Sequence, residues 1–235
     1  MALLEVRSVA MRFRGVVALA GVDLDVAPGT ITGLIGPNGA GKTTLFNVIS
    51  GVQAPTAGTV SMASEVITNV SPHRRCKLGI ARTFQRIELF NSLTALENVS
   101  VAAEVARRPH AQRVATELLE RVGAGQLADQ IAGNLSTGSA RLVEVARALA
   151  TQPKILLLDE PASGLDEHET RSFGALLRGL RTDGLTVLLV EHDMTLVMDV
   201  SDHIYVLDLG RVIAGGSPSE VQHDRNVLAA YLGAA

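Results

Sequence analysis

The stretch Gly36-Pro-Asn-Gly-Ala-Gly-Lys-Thr-Thr44 decides the reading of this chain. An apolar run ending in Ile31-Thr-Gly-Leu-Ile35 precedes it, and Leu45-Phe-Asn-Val-Ile49 follows as the first turns of a helix. Strand, glycine-rich loop and helix, in that order, are the setting that the G-x-x-x-x-G-K-[ST] phosphate-binding pattern requires. Gly36, Gly39 and Gly41 let successive backbone N–H groups turn towards an anion, where side chains would obstruct it. Pro37, Asn38 and Ala40 complete the wrap, and the helix start adds partial positive charge. Lys42 is expected to reach the β- and γ-phosphates, and Thr43, ahead of Thr44, to offer its hydroxyl to Mg²⁺. The loop implies a bound nucleotide.

At 235 residues the chain is long enough for one large α/β domain, or one domain with an insert. It is 47% hydrophobic but only 3% aromatic. Val, Leu and Ile in short runs suit strands buried on both faces of a parallel sheet. A net charge of −3 argues against wholesale binding of nucleic acid. The single Cys76 excludes an internal disulfide framework and fits a reducing compartment. No apolar run approaches a membrane-spanning helix, and the charges in Met1–Arg7 come too early for a signal-peptide core. The expectation is a soluble chain that meets a membrane only through another subunit.

Leu3–Val9 and Val22–Val26 alternate as strands, with Met11-Arg-Phe13 between them. Phe13 is either core or a stacking platform for an adenine. Thr59–Met62 reads as a strand, and Gly79–Gln85 as a strand-like run ending in an amide. Gln85 is either a surface amide or a partner for a metal or an attacking water. From Leu93 the chain reads as helical to about residue 122, with Thr94 and Glu97 at capping-box spacing. Ser139–Ala150 is a helix with an apolar face and with Arg141, Glu144 and Arg147 elsewhere. The loop before it, with Ser136 and Gly138, offers a second anion site.

Lys154–Glu160 is an apolar strand ending in two acids. Carboxylates at a buried strand end are costly unless paired or metal-bound. Asp159 is therefore assigned to support Mg²⁺ and Glu160 to polarise an attacking water. Ser163-Gly-Leu-Asp166 leads into a helix through about Leu180, and Leu185–Val190 is a further strand. His192 follows it, where ligands bind in open α/β sheets, and is either structural or a phosphate contact. His203–Leu209, Gly210 and Arg211–Ile213 suggest a hairpin, followed by short helical segments to Leu232.

In this order the motifs resemble those of the ATP-binding subunits of ABC transporters, over nearly the whole chain. The likeness rests on Gly36–Thr44, on Gln85 as the Q-loop glutamine, and on Leu135-Ser-Thr-Gly-Ser139 as the signature. It continues through Ile155–Glu160, the D-loop Ser163–Asp166 and the switch histidine His192, with Phe13 at the adenine-stacking position. Within that family, Ala81-Arg-Thr-Phe-Gln85, Leu93-Thr-Ala-Leu-Glu-Asn98, Val190-Glu-His-Asp-Met194 and the ending Ala229–Gly233 look like the branched-chain amino-acid uptake type. Importers of urea or short amides share much of this pattern. The signature departs from the usual Leu-Ser-Gly-Gly-Gln: Thr137 adds a β-branched side chain and Ser139 shortens an amide. An altered rate or nucleotide affinity is expected from that.

The resemblance implies an α/β fold: a P-loop NTPase core with a mainly parallel sheet flanked by helices, an N-terminal antiparallel β subdomain and a helical insert. Residues 1–235 would form one ATP-binding domain, with the helical part at about 86–150 facing membrane subunits. It implies an ATPase that uses ATP and Mg²⁺. Lys42, Gln85, Glu160 and His192 would carry the chemistry, and Thr43, Gln85 and Asp159 would hold the metal. Two copies, or this chain and a related subunit, would pair head to tail, so that Ser136 and Gly138 of one cover the loop of the other. Permease subunits would hold the pair at the inner face of the membrane, with a solute-binding protein as an indirect partner. Two rival readings are weaker. A soluble P-loop phosphotransferase leaves Leu135–Ser139 unexplained, and a non-transport ATPase acting on nucleic acid or ribosomes often carries two cassettes or long insertions.

Overall fold

The structure is a computed structural model that describes residues 1–232. In chain order it begins with β1 (Leu4–Phe13), β2 (Val16–Val26), β3 (Ile31–Ile35), α1 (Lys42–Ser50), β4 (Ala57–Met62), β5 (Glu65–Val66), α2 (Pro72–Leu78) and β6 (Ile80–Arg82). Three helices follow: α3 (Ala95–Val105), α4 (Ala111–Arg121) and α5 (Thr137–Leu149). The rest is β7 (Ile155–Asp159), α6 (Glu167–Thr182), β8 (Thr186–Val190), α7 (Met194–Val200), β9 (His203–Asp208), β10 (Arg211–Gly216), α8 (Pro218–His223) and α9 (Arg225–Leu232). Gly233, the end of the Ala229–Gly233 motif, lies outside the described residues.

Two sheets organise these elements. One, ordered β2-β1-β4-β5, is antiparallel. The other, ordered β10-β9-β3-β8-β7-β6, is parallel from β9 to β6 and ends in the antiparallel β10. Every residue of β3, β7 and β8 is buried, as unbroken aliphatic runs require when helices or a second sheet cover both faces. Helix α1 lies between the sheets with Leu45, Phe46, Val48 and Ile49 fully buried among Leu4, Leu34 and Val60. Each such side chain stabilises the packing by roughly 1.5–3 kcal/mol. Burial of this kind holds the phosphate-loop helix against β2, β6 and β7.

Two sequence expectations change. Strand β1 runs through Met11–Phe13 rather than stopping short of it, and β2 starts at Val16 after a turn at Arg14-Gly15. Register shifts around Val9 and Met11 break the alternation that marks a strand in sequence, although the pairing continues. The continuous helix expected to about residue 122 is two helices, α3 and α4. Pro109 lies in the gap, and Arg107 and His110 adopt left-handed backbone there. Helix α2 gave no periodic signal because it spans only seven residues.

Arg75 of α2 is 1% exposed and shows what so short a helix can contribute. Its Nη1 donates to the carbonyls of Val48 (2.7 Å) and Ile49 (2.6 Å), Nη2 to that of Thr68 (2.7 Å) and Nε to that of Val70 (2.9 Å). Burial pushes this guanidinium down to about 10, so it stays protonated at neutral pH. Its charge is answered by the carbonyl end of α1, where the helix dipole is negative. Arg75→Ala is expected to destabilise the fold by roughly 3 kcal/mol through orphaned carbonyls. That is a fall of about 10 °C in midpoint for a chain of this size. A thermal unfolding midpoint within about 2 °C of wild type would contradict it.

Candidate active site

The loop after β3 is built from glycines that nothing else can replace. A Cβ on Gly36 would stand 1.9 Å from the Leu207 carbonyl oxygen, and one on Gly41 would stand 2.6 Å from that of Ala18. Gly41 is also the left-handed N-cap of α1 (φ 107°), and no side chain caps that helix. The first-turn N–H groups of α1 are thus left to an anion. Lys42 is buried and arches back over the loop, its Nζ donating to the carbonyls of Gly36 (2.6 Å) and Pro37 (3.0 Å). Burial lowers its pKa, while Glu160 and Asp159 nearby oppose the shift. Thr43, in the first turn of α1, is exposed.

β7 delivers the two acids to the same end of the sheet. Asp159 is 1% exposed, and its Oδ2 accepts from Arg82 Nη2 at 2.8 Å. Its Oδ1 is equally buried and has no partner. Desolvation by burial is the main influence on this carboxyl and raises its pKa, with Arg82 opposing. Glu160 leaves the strand with left-handed backbone (φ 49°), a conformation costing on the order of 1 kcal/mol in a non-glycine residue. The turn places its carboxylate between two side chains distant in sequence. Gln85 Nε2 donates to Oε2 at 2.7 Å, and His192 Nε2–H donates to Oε1 at 2.9 Å. Gln85, Glu160 and His192 therefore form one hydrogen-bonded cluster, and the amide oxygen of Gln85 remains for a cation.

Glu191 is a member of this region that the sequence reading missed. It is 4% exposed and accepts from the backbone N–H of Ala162 (2.6 Å), His192 (2.8 Å) and Asp193 (3.3 Å). Burial is the largest influence on its pKa, which is raised. The carboxylate ties the turn after Glu160 to the turn carrying His192. An acid next to a histidine at a strand end was the available signal.

The signature lies elsewhere on the molecule. Ser136 caps α5, its Oγ accepting from Ser139 N–H at 3.2 Å and meeting Ser139 Oγ at 3.1 Å. A Cβ at Gly138 would meet Glu169 of α6 at 2.4 Å, and Thr137 packs on Gly164 of the D-loop. These neighbours belong to α6 and the D-loop rather than to Gly36–Thr44. Phe13, at the far end of β1, is 40% exposed, which removes the core alternative for it. Arg141 and Glu144 of α5, off the apolar face in the sequence, are both 1% exposed and paired at 2.6 Å. Arg141 also donates to the carbonyls of Phe84 (2.9 Å) and Gln85 (3.2 Å), so α5 grips the backbone that presents Gln85.

Among the described residues no group of three or more His, Cys, Asp and Glu could hold a metal ion. One unpartnered carboxylate oxygen, a threonine hydroxyl and an amide oxygen suit Mg²⁺, which keeps water and phosphate oxygens as its other ligands. The residues present fit that ion.

A phosphate loop at the end of β3, with an acidic pair on β7 one strand beyond β8, defines a P-loop nucleotide triphosphatase. The model described as ABC transporter matches residues 19–163, and the chain belongs to that family. It is an ATP-binding cassette that hydrolyses ATP. A second model, described as branched-chain amino acid ATP-binding cassette transporter, matches residues 211–235. The high-affinity branched-chain amino acid transport ATP-binding protein BraF of Pseudomonas aeruginosa is 41% identical, the match covering 99% of this chain and 98% of BraF. The ADP conformation of MJ1267, an ATP-binding cassette of an ABC transporter, superposes with a TM-score of 0.90 at 33% identity and 99% coverage of both chains. The dimeric structure of MJ0796, a bacterial ABC transporter cassette, does so with 0.84 at 28% identity, covering 92% of this chain and 98% of that one.

Proposed function

We propose that this chain is the ATP-hydrolysing motor subunit of an importer of branched-chain amino acids. The observation that carries the solute assignment is the likeness to BraF over 99% of the chain. No helix among the described residues is long and apolar enough to cross a membrane. In this reading the solute path belongs to separate permease subunits. A cavity of about 420 Å³, lined by Val52, Phe84, Phe90, Val101 and Val105, offers an apolar seat for a permease segment. Residues 1–235 act as one domain in this reading, and about 86–150 is the part that faces the membrane. The chain then sits at the inner face of the membrane, held by those subunits. A solute-binding protein delivers cargo on the other side.

The signature has Glu169 and Gly164 as neighbours rather than Gly36–Thr44, which supports a head-to-tail dimer, and the MJ0796 cassette has a dimeric structure. Each ATP lies between one copy's loop and the other's signature, with Phe13 against the adenine. Lys42 and the loop N–H groups neutralise the phosphates. Thr43, Asp159 and Gln85 would hold Mg²⁺, which would supply positive charge to offset that of the phosphates. Glu160 accepts a proton from water as the water oxygen bonds to the γ-phosphorus and the bond to the β-phosphate oxygen breaks, leaving ADP and phosphate. Its two present donors are Gln85 and His192, which would release its oxygens to the water on meeting the metal and the γ-phosphate. Binding energy from ATP closes the dimer, and loss of the γ-phosphate contacts reopens it.

Copurification from detergent-solubilised membranes tests the proposal. Permease and solute-binding proteins that bind leucine, isoleucine or valine are expected with the tagged chain. Partners that bind urea or short amides would overturn the solute assignment. Isolation free of any membrane protein would overturn the transport role.

A further inference from the structure

Two of the residues proposed to hold Mg²⁺ arrive on different elements: Thr43 in the first turn of α1, and Asp159 at the end of β7. One side chain bonds both elements. Arg82, the last residue of β6, is 7% exposed at its side chain and lies beside both. Its Nη2 donates to Asp159 Oδ2 at 2.8 Å, while Nη1 donates to Asn47 Oδ1 (2.7 Å) and Ser50 Oγ (3.1 Å) of α1. The rings of Phe84 and Phe46 lie 4.9 and 5.6 Å from the guanidinium carbon.

We propose that Arg82 is a positioning residue for the metal. By occupying Oδ2 of Asp159 and bonding α1, it leaves the buried, unpartnered Oδ1 as the oxygen that meets Mg²⁺ at a set distance from Thr43. The inference rests on the proposed metal role of Asp159. Three features make Arg82 suited to this. A guanidinium presents donors in a planar fork, so one edge can serve the carboxylate while the other serves the helix. Lysine is a single point charge and cannot bond both elements in fixed geometry. The aromatic faces and the burial then hold that fork in one orientation, since a cation desolvated against an aromatic ring is attracted to its face. A carboxylate with one oxygen saturated also has fewer ways to turn, which is how outer partners commonly orient a metal ligand. Arg82 itself touches neither nucleotide nor metal in this arrangement.

The test compares ATP affinity of the purified chain in Mg²⁺ and in EDTA, for wild type and for Arg82→Met, Arg82→Lys and Asp159→Asn. Arg82→Met is expected to lose roughly tenfold of the affinity gained from Mg²⁺, the loss that removing such an outer partner typically causes. Its affinity in EDTA, which reads the folded phosphate loop alone, should match wild type. Arg82→Lys should restore only part of the gain. With Mn²⁺ in place of Mg²⁺, the paramagnetic resonance spectrum of the bound ion should broaden in Arg82→Met. A full Mg²⁺ increment in Arg82→Met, with Asp159→Asn losing it, would overturn the role given to Arg82. Equal losses in Mg²⁺ and in EDTA would make Arg82 merely structural and also overturn it. A full increment in Asp159→Asn would remove the metal role of Asp159, and the inference with it.

Discussion

Glu160→Gln is expected to lower ATP turnover by roughly 10²–10⁴-fold, the range for removing a general base. The substitution keeps the shape of the side chain while removing its charge, one of its two acceptor oxygens and its capacity to take a proton. Glu160 lies beyond Asp159 on the far side of the β7 terminus from the strand core, and its contacts are Gln85 and His192 rather than the loop backbone. ATP affinity should therefore stay near wild type. In the head-to-tail arrangement the variant should accumulate as a nucleotide-bound dimer, because closure needs ATP and reopening needs hydrolysis. Steady-state phosphate release and size-exclusion chromatography with ATP measure the two halves of the expectation. Wild-type turnover would remove Glu160 from the chemistry.

Lys42→Ala is expected to act on binding itself. The ammonium is buried within the loop, and burial already disfavours its charged form, with Glu160 and Asp159 partly compensating. A polyphosphate would act in the same direction as those carboxylates, so bound nucleotide and charged lysine stabilise one another. Two charge-assisted contacts of about 1.5 kcal/mol each correspond to roughly 100-fold in affinity. The alanine also removes the donor that now satisfies the Gly36 and Pro37 carbonyls. Fluorescent-nucleotide titration or calorimetry reads the change. Undiminished ATP affinity would contradict the place given to Lys42.

The parts of the site that the sequence made legible are contiguous ones. The loop could be read because its function depends on backbone geometry over nine neighbouring residues, and Gly36 and Gly41 are required by close approach of Leu207 and Ala18. Asp159 and Glu160 could be read because an aliphatic strand ending in two acids is costly without a purpose. The family resemblance supplied what spacing alone left open for Gln85, His192 and Phe13. It also led to the family that the chain belongs to.

What stayed hidden was decided by residues far apart in the chain. The sequence placed Arg141 and Glu144 only off the apolar face of α5. They are buried because Phe84 and Gln85, more than fifty residues earlier, present backbone groups to them. Arg75 carried no signal, since its partners are carbonyls at the end of α1, which any sequence possesses. Arg82 stood in plain sight within Ala81-Arg-Thr-Phe-Gln85, but its meaning depends on β6 pairing with β7, which sets it beside Asp159. The sequence by itself determined the phosphate loop, the acidic strand end and the class of fold, because each is a local backbone or burial constraint. Only the tertiary structure decided which oxygen of Asp159 is left without a partner and which donors hold Glu160. Those choices are made by side chains that chain folding, and not spacing, brings within hydrogen-bond reach.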